Sequence, residues 1–152
     1  MEIERKFLIA EKDLPNDIKS YFGHKIIQGY LNPDDEYLIR VRYNKSIHQG
    51  DEFYKVEIKS KGLLARDEWR YETTKENFWE IYNKCPKKIS KTRYYWVVNN
   101  LQYEIDFYDD YDFITLEIEF DSLEECENFK VPHWFGDEVT MLPEYKNVNL
   151  AK

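Results

Sequence analysis

Charged residues recur at every second position in seven separate segments of this sequence, with apolar residues filling most of the gaps. Glu2, Glu4 and Lys6 share one parity in EIERK, and Arg40 and Arg42 share one in IRVR. Lys55, Glu57 and Lys59 follow in KVEIK, then Arg66, Glu68 and Arg70 in RDEWR. Lys91 and Arg93, Glu104 and Asp106, and Glu117 and Glu119 complete the set. The opposite parity carries Ile3, Phe7, Ile39, Val41, Val56 and Ile58, then Ile105, Phe107, Leu116, Ile118 and Phe120. A period of two sends successive side chains to opposite faces of a strand. Each segment therefore reads as a β-strand with one charged and one apolar face.

The pattern predicts strands at 2–9, 24–31, 36–43, 52–60, 66–72, 89–98, 101–108 and 112–120. Their richness in aromatic and β-branched residues fits, since 17% of the chain is Phe, Trp or Tyr. Asn99-Asn100 separates two strand patterns as a tight hairpin would, and Lys61-Gly62 marks a second turn. Helices are fewer. Thr73-x-x-Glu76 predicts a capping box opening a helix over 74–84, and Ser122-x-x-Glu125 predicts one over 122–129. Short helices are expected within 13–22 and from Pro143 onward. No linker or internal repeat divides the chain, so residues 1–152 read as one domain. The expected class is mainly β with a few flanking helices (α+β): an eight-stranded antiparallel barrel, closed because closure removes unpaired edges.

The net charge of −8 argues against general nucleic-acid binding. Two cysteines, Cys85 and Cys126, make no disulfide framework and read as reduced thiols. No apolar run is long enough to span a membrane, so the expected setting is cytoplasmic, without membrane association.

A half-buried strand normally turns its polar face to water, and any one of these segments alone would do so. The set resists that explanation. Like charges opposite one another destabilise a sheet, yet several strands here carry pairs of a single sign. Acidic pairs lie on the first and last strands, basic pairs mainly on the middle ones. Closing the barrel brings Glu2 and Glu4 beside Glu117 and Glu119. Four gathered carboxylates call for a hard divalent cation. Gathered lysines and arginines call for an anion, and linked phosphates match several guanidinium forks. The charged parity then faces a lumen, and the apolar parity faces outward beneath the helices.

The residues also resemble a known family. The ExExK of Glu2 to Lys6 is the signature of the CYTH superfamily, the triphosphate tunnel metalloenzymes. QGYL (Gln28 to Leu31), IRVR, EIKSKG, KTRY, EID, LEIEF, WFGDEVT (Trp134 to Thr140) and YKN (Tyr145 to Asn147) follow in the family's order. The resemblance covers nearly the whole chain and is greatest to small bacterial-type inorganic triphosphatases.

That resemblance implies a divalent-metal-dependent hydrolysis of the terminal phosphate of tripolyphosphate or a related linear triphosphate, with two Mg²⁺ or Mn²⁺ ions. Glu2, Glu4, Glu117 and Glu119 would hold metal. Asp106, with Glu104, would help hold the second ion and orient the attacking water. Lys6, Arg40, Arg42, Lys59, Lys91 and Arg93 would grip the triphosphate, joined by Arg66 and by Tyr30 as a tunnel tyrosine. Residues 134–150 would plug one mouth, and a homodimer is compatible with the family. His24, His48 and His133 lie outside its motifs and read as ordinary surface or loop histidines. Arg70 stands where members often carry an acidic or neutral residue, and Leu142-Pro143-Glu144 replaces a more basic lead-in to the Tyr-Lys-Asn. The same fold supports a class IV-type adenylate cyclase, a thiamine or nucleoside triphosphatase, or a non-catalytic module binding polyphosphate or nucleotide.

Overall fold

The alternating segments become strands of one sheet in the computed structural model, which describes residues 1–152. They are β1 (Glu2–Ile9), β2 (Gly23–Tyr30), β3 (Tyr37–Ser46), β4 (Glu52–Ser60), β5 (Ala65–Arg66), β6 (Glu68–Glu72), β7 (Lys87–Val98), β8 (Leu101–Tyr108) and β9 (Ile114–Phe120). The order is β5-β1-β9-β8-β7-β2-β3-β4-β6, and every pairing is antiparallel.

The strand expected at 66–72 is broken at Asp67, which makes nine strands where eight are expected. The Asp67 N–H donates to the Ser60 hydroxyl at 2.8 Å, and the Ser60 N–H donates to the Asp67 carbonyl at 3.0 Å. On one side of this break β5 pairs with β1, and on the other β6 pairs with β4. One interrupted segment thus joins the two ends of the sheet into a barrel. Gly62 permits the turn leading into it, because a Cβ there would collide with the Ala65 carbonyl.

Residues 136–140 cover the rest of the β1 edge. The Leu8 N–H donates to the Asp137 carbonyl at 2.9 Å, and the Val139 N–H to the Lys6 carbonyl at 2.8 Å. Arg5 reaches across this strap to Glu138 in a two-pronged contact at 2.9 and 2.6 Å. The WFGDEVT segment therefore acts as a fastening for the barrel wall.

The barrel is inverted as the parity predicts. Ile3, Phe7, Ile105, Leu116, Ile118 and Phe120 are buried on the outside, in a cluster that takes in Leu14, Ile18 and Cys126 and packs against Phe129, Trp134 and Phe135. Around Val41, the helix α1 (Lys75–Lys84) lays Phe78 against Tyr43 and Tyr54 and Trp79 against Tyr43, with Tyr82 packed on Phe78. Its cap is Thr74, which accepts the Asn77 N–H at 3.1 Å. The box expected at Thr73 is displaced by one residue because the Thr73 N–H still donates to the Tyr54 carbonyl of the sheet at 3.0 Å. Ser122 caps α2 (Leu123–Asn128) as expected, accepting the Glu125 N–H at 3.1 Å.

The helix expected within 13–22 is instead two 3-10 turns, Glu11–Asp13 and Ile18–Ser20, separated by Pro15. Asn99 and Asn100 both take positive φ, 50° and 65°, which lets the β7–β8 hairpin turn in two residues. The tail forms a 3-10 turn, Pro143–Tyr145, and α3 (Asn147–Leu150). Leu150 and Ala151 close an aromatic cluster with Tyr30 and Tyr108. No helix is long and apolar enough to cross a membrane.

Candidate active site

The barrel encloses a cavity of about 320 Å³ lined by nineteen residues, of which one is hydrophobic. Seven are acidic and seven basic: the charged lining residues of β1, β8 and β9 are all carboxylates and those of β3 all arginines, while β4 and β6 carry both signs. On the basic side, Glu57 organises the guanidinium groups. Its carboxylate accepts from Arg40 at 3.0 Å and lies 3.6 Å from Arg42 and 3.5 Å from Arg70. Burial opposes its ionisation, but Arg40 and Arg42 overcome that and hold its carboxyl well below the usual carboxylate range. The Arg42 Nε–H also donates to Gln28 Oε1 at 2.9 Å, and Gln28 donates onward to the Tyr30 hydroxyl at 3.1 Å.

Glu2 plays the same part lower on the wall. It stands 3.2 Å from both Lys59 and Arg66. Burial disfavours its charge, yet Lys59, a hydrogen bond with Glu68, and Arg66 carry its pKa far down. Lys59, crowded by burial and by Arg40 and Arg66, is pushed down to about 8.

The acidic side has fewer partners. Glu4 stands opposite Glu119 on β1 and β9, and Glu104 opposite Glu117 on β8 and β9. The nearest cation to Glu4 is Arg66, at 3.9 Å. Burial, then the charges of Glu117 and Glu2, push the Glu4 carboxyl up to about 8. Burial also raises Glu104 and Glu119, with Glu117 the chief repelling charge on the first and Glu2 on the second. Glu117 goes the other way: burial is offset by Lys6, Arg93 and Lys91, and its pKa falls.

Four carboxylates on three adjacent strands, forming two cross-strand pairs of like charge, offer the oxygen donors that a hard divalent cation takes. No three of them stand close enough together to hold an ion by themselves. An ion held there would need water or phosphate oxygens as further ligands, the mode Mg²⁺ favours.

The other expected site residues are placed as follows. Lys6 and Tyr30 line a small adjoining space of about 20 Å³, which shares Glu4, Arg66 and Glu117 with the main cavity. The tail enters here with Lys146, Asn147 and Val148. The Lys6 Nζ donates to the Tyr145 carbonyl at 2.6 Å, and the Lys146 Nζ to the Leu63 carbonyl at 2.8 Å, so the tail is latched across that end. Arg93 lines the main cavity, whereas Lys91 and Asp106 do not. Asp106 is wholly buried, 2.8 Å from Lys91 and 2.7 Å from the Arg93 Nε.

Several lining residues were not singled out in the sequence. Glu57 has the right parity but sits between two lysines and reads as part of a mixed face. His24, expected to be an ordinary surface or loop residue, instead lines the cavity from β2 and contacts the Tyr95 hydroxyl at 3.2 Å. Lys146 and Asn147 belong to the tail, whose inward reach no periodicity announces.

No family model matches the chain. A protein of Nitrosomonas europaea named inorganic triphosphatase is 33% identical over 155 aligned positions, covering 99% of this chain and 96% of the relative. The chain belongs to the inorganic triphosphatase family. A second member, from Acetivibrio thermocellus and of the same name, is 31% identical, covering 99% of this chain and 93% of its own. The crystal structure of an inorganic triphosphatase superposes on this triphosphatase-family chain with a TM-score of 0.68 at 29% identity, covering 99% and 94% of the two chains. The barrel and the ordered motifs are those of the CYTH superfamily, as the resemblance implied.

Proposed function

We propose that the chain hydrolyses the terminal phosphoanhydride bond of inorganic tripolyphosphate, or of a related linear triphosphate, with Mg²⁺ or Mn²⁺, two ions being held at the acidic wall. The observation that carries this reading is the sorting of charge inside one cavity. Arginines and lysines are braced by Glu57 and Glu2 on one side, and on the other stand Glu104 and Glu117, which share Arg93, and Glu4 and Glu119, which have at most one distant cation. A linear triphosphate complements both at once. The names of the two relatives support the same substrate.

Glu4, Glu104, Glu117 and Glu119 are the residues available to hold the ions. Glu2 and Asp106, also expected as ligands, are each held by at least two cations; Glu104 meets Arg93 at 2.9 Å and Glu117 lies 3.6 Å from Lys6, so Glu4 and Glu119 are the least engaged. Bound divalent ions neutralise phosphate charge and lower the pKa of water. Arg40, Arg42, Lys59 and Arg66 bind the phosphate oxygens, and Arg93 reaches the same space from β7. Braced guanidiniums need no reorganisation when charge develops on the equatorial oxygens. Water oxygen bonds to the terminal phosphorus, the bridging P–O bond breaks, and orthophosphate and pyrophosphate leave. No covalent protein intermediate is required.

The test is release of orthophosphate by purified protein with Mg²⁺ or Mn²⁺, comparing tripolyphosphate, ATP and thiamine triphosphate. Chelator-sensitive release from tripolyphosphate is expected. Pyrophosphate without orthophosphate from ATP would identify a cyclase, and tight binding without turnover a binding module. In the same assay Arg42→Ala is expected to raise KM for tripolyphosphate about 10- to 100-fold, the loss of one charge-assisted contact. Its fold should hold, since Glu57 keeps Arg40. A variant with wild-type KM would remove Arg42 from the binding wall.

A further inference from the structure

We propose that His24 is a proton-coupled ligand for phosphate. It is neutral in the anion-free protein, takes up a proton from solvent as a phosphate chain enters the cavity, and donates a hydrogen bond from Nε2 to a phosphate oxygen. This rests on the reading of the cavity as a triphosphate site and adds a residue and a proton to its binding step.

The placing of the ring carries the argument. His24 lines the cavity from β2, and shares the parity of Gln28 and Tyr30 on that strand. Its cross-strand neighbour on β7 is Arg93. Its Nδ1 lies 3.2 Å from the Tyr95 hydroxyl, while Phe22 and Phe53 pack edge-on against the ring at 5.0 and 6.2 Å. No other side-chain hydrogen bond reaches the imidazole, so Nε2 has no protein partner. Three cations surround it: Arg93 from β7, Lys55 from β4 and Arg42 from β3, all lining the same cavity. The nearby carboxylates serve other groups. Glu104 and Asp106 hold Arg93, and Glu57 lies 3.6 Å from Arg42. Tyr95 stays neutral, because burial raises its hydroxyl.

Burial and these three cations push the imidazole below its ordinary value, so His24 is neutral at pH 7. A phosphate chain reverses the balance. Arg42 and Lys55 stand directly opposite each other on β3 and β4, and an anion bound between them brings negative charge into the surroundings of the ring. That charge favours the imidazolium. Tyr95 suits both states, since its hydroxyl can donate to a bare Nδ1 or accept from Nδ1–H. The imidazolium carries N–H on both nitrogens, one for Tyr95 and one for a phosphate oxygen. The proton comes from water, and no bond of the phosphate chain is made or broken. Protonation and phosphate binding then favour each other by the same factor, so affinity rises as pH falls through the range in which His24 titrates.

The experiment measures binding apart from turnover, with metal-free protein and tripolyphosphate. The Cε1–H resonances of the three histidines are titrated by NMR, and His24 is identified by elimination with His48→Gln and His133→Gln, both exposed positions. The His24 pKa should rise by about one unit or more when tripolyphosphate is bound. By calorimetry, His24→Gln should weaken tripolyphosphate binding about three- to tenfold near pH 5.5 and less than about twofold near pH 8.5. Protonation of the anion itself is common to both proteins and cancels in that comparison. A pKa that the anion leaves unmoved, or no binding of tripolyphosphate to wild type, overturns the inference. So does an equal loss at both pH values, which would mark a packing role. The wild-type titration decides even where His24→Gln fails to fold. Metal-dependent phosphate release by the wild type reads the triphosphatase proposal separately: turnover with an unmoved His24 defeats only the coupling, and a shifted His24 without turnover defeats only the hydrolysis.

Discussion

Glu4→Gln is expected to lower tripolyphosphate turnover by about 10³-fold or more, the scale of losing several kcal/mol of metal-borne charge stabilisation. The same substitution should stabilise the metal-free protein. Glu4 sits among carboxylates with one distant cation, and its pKa in the fold is pushed up to about 8. A carboxyl with a raised folded-state pKa contributes stability at low pH and loses it as pH rises towards that value. In chelator, the advantage of Glu4→Gln over wild type should therefore grow from pH 4.5 to about 8 and then level off. Glu4 keeps some exposure at the cavity, so the gain is about 1–3 kcal/mol, or roughly 3–10 °C in Tm. Urea melts across pH with and without Mg²⁺ check it. A destabilised metal-free variant with turnover intact would make Glu4 an ordinary wall residue. Sites of this kind carry stability cost for function, and the cost here is the crowding of the acids.

Asp106→Ala is expected to act the other way, through the fold. Asp106 is the shared partner of Lys91 and Arg93, at 2.8 and 2.7 Å, and neither it nor Lys91 has any exposure. Removing it leaves two buried cations without their carboxylate, a change that costs about 3–5 kcal/mol. The melting temperature should fall by roughly 10 °C. Divalent-ion affinity, measured on the folded protein at low temperature, should change less than in Glu4→Gln. A variant that melts like wild type but no longer binds the ion would make Asp106 a ligand after all.

The strands, their inward parity and the inversion of the barrel are legible in the sequence, because a period of two is a local property and each segment carries it alone. The acidic wall is legible too. Closure of a meandering sheet makes the first and last strands neighbours, and β1 does pair with β9. The pairing register is a different matter. Glu104 and Asp106 share a parity and a segment, and nothing local distinguishes them. In the barrel, Asp106 lands opposite Arg93 and is buried between Arg93 and Lys91, whereas Glu104 lands opposite Tyr95 and borders the cavity with Arg93 as its one cation.

Glu57 is likewise one acid in a mixed strand until the β3–β4 register sets it across from Arg40. The break at Asp67 that joins the sheet, and the tail latched through Lys6 and Lys146, depend on segments far apart in the chain. What sequence determined by itself is which side chains face the lumen. Which of them find partners there, and which are left over to bind something else, was decided by the tertiary structure, because register is set by closing the whole barrel and no single strand carries it.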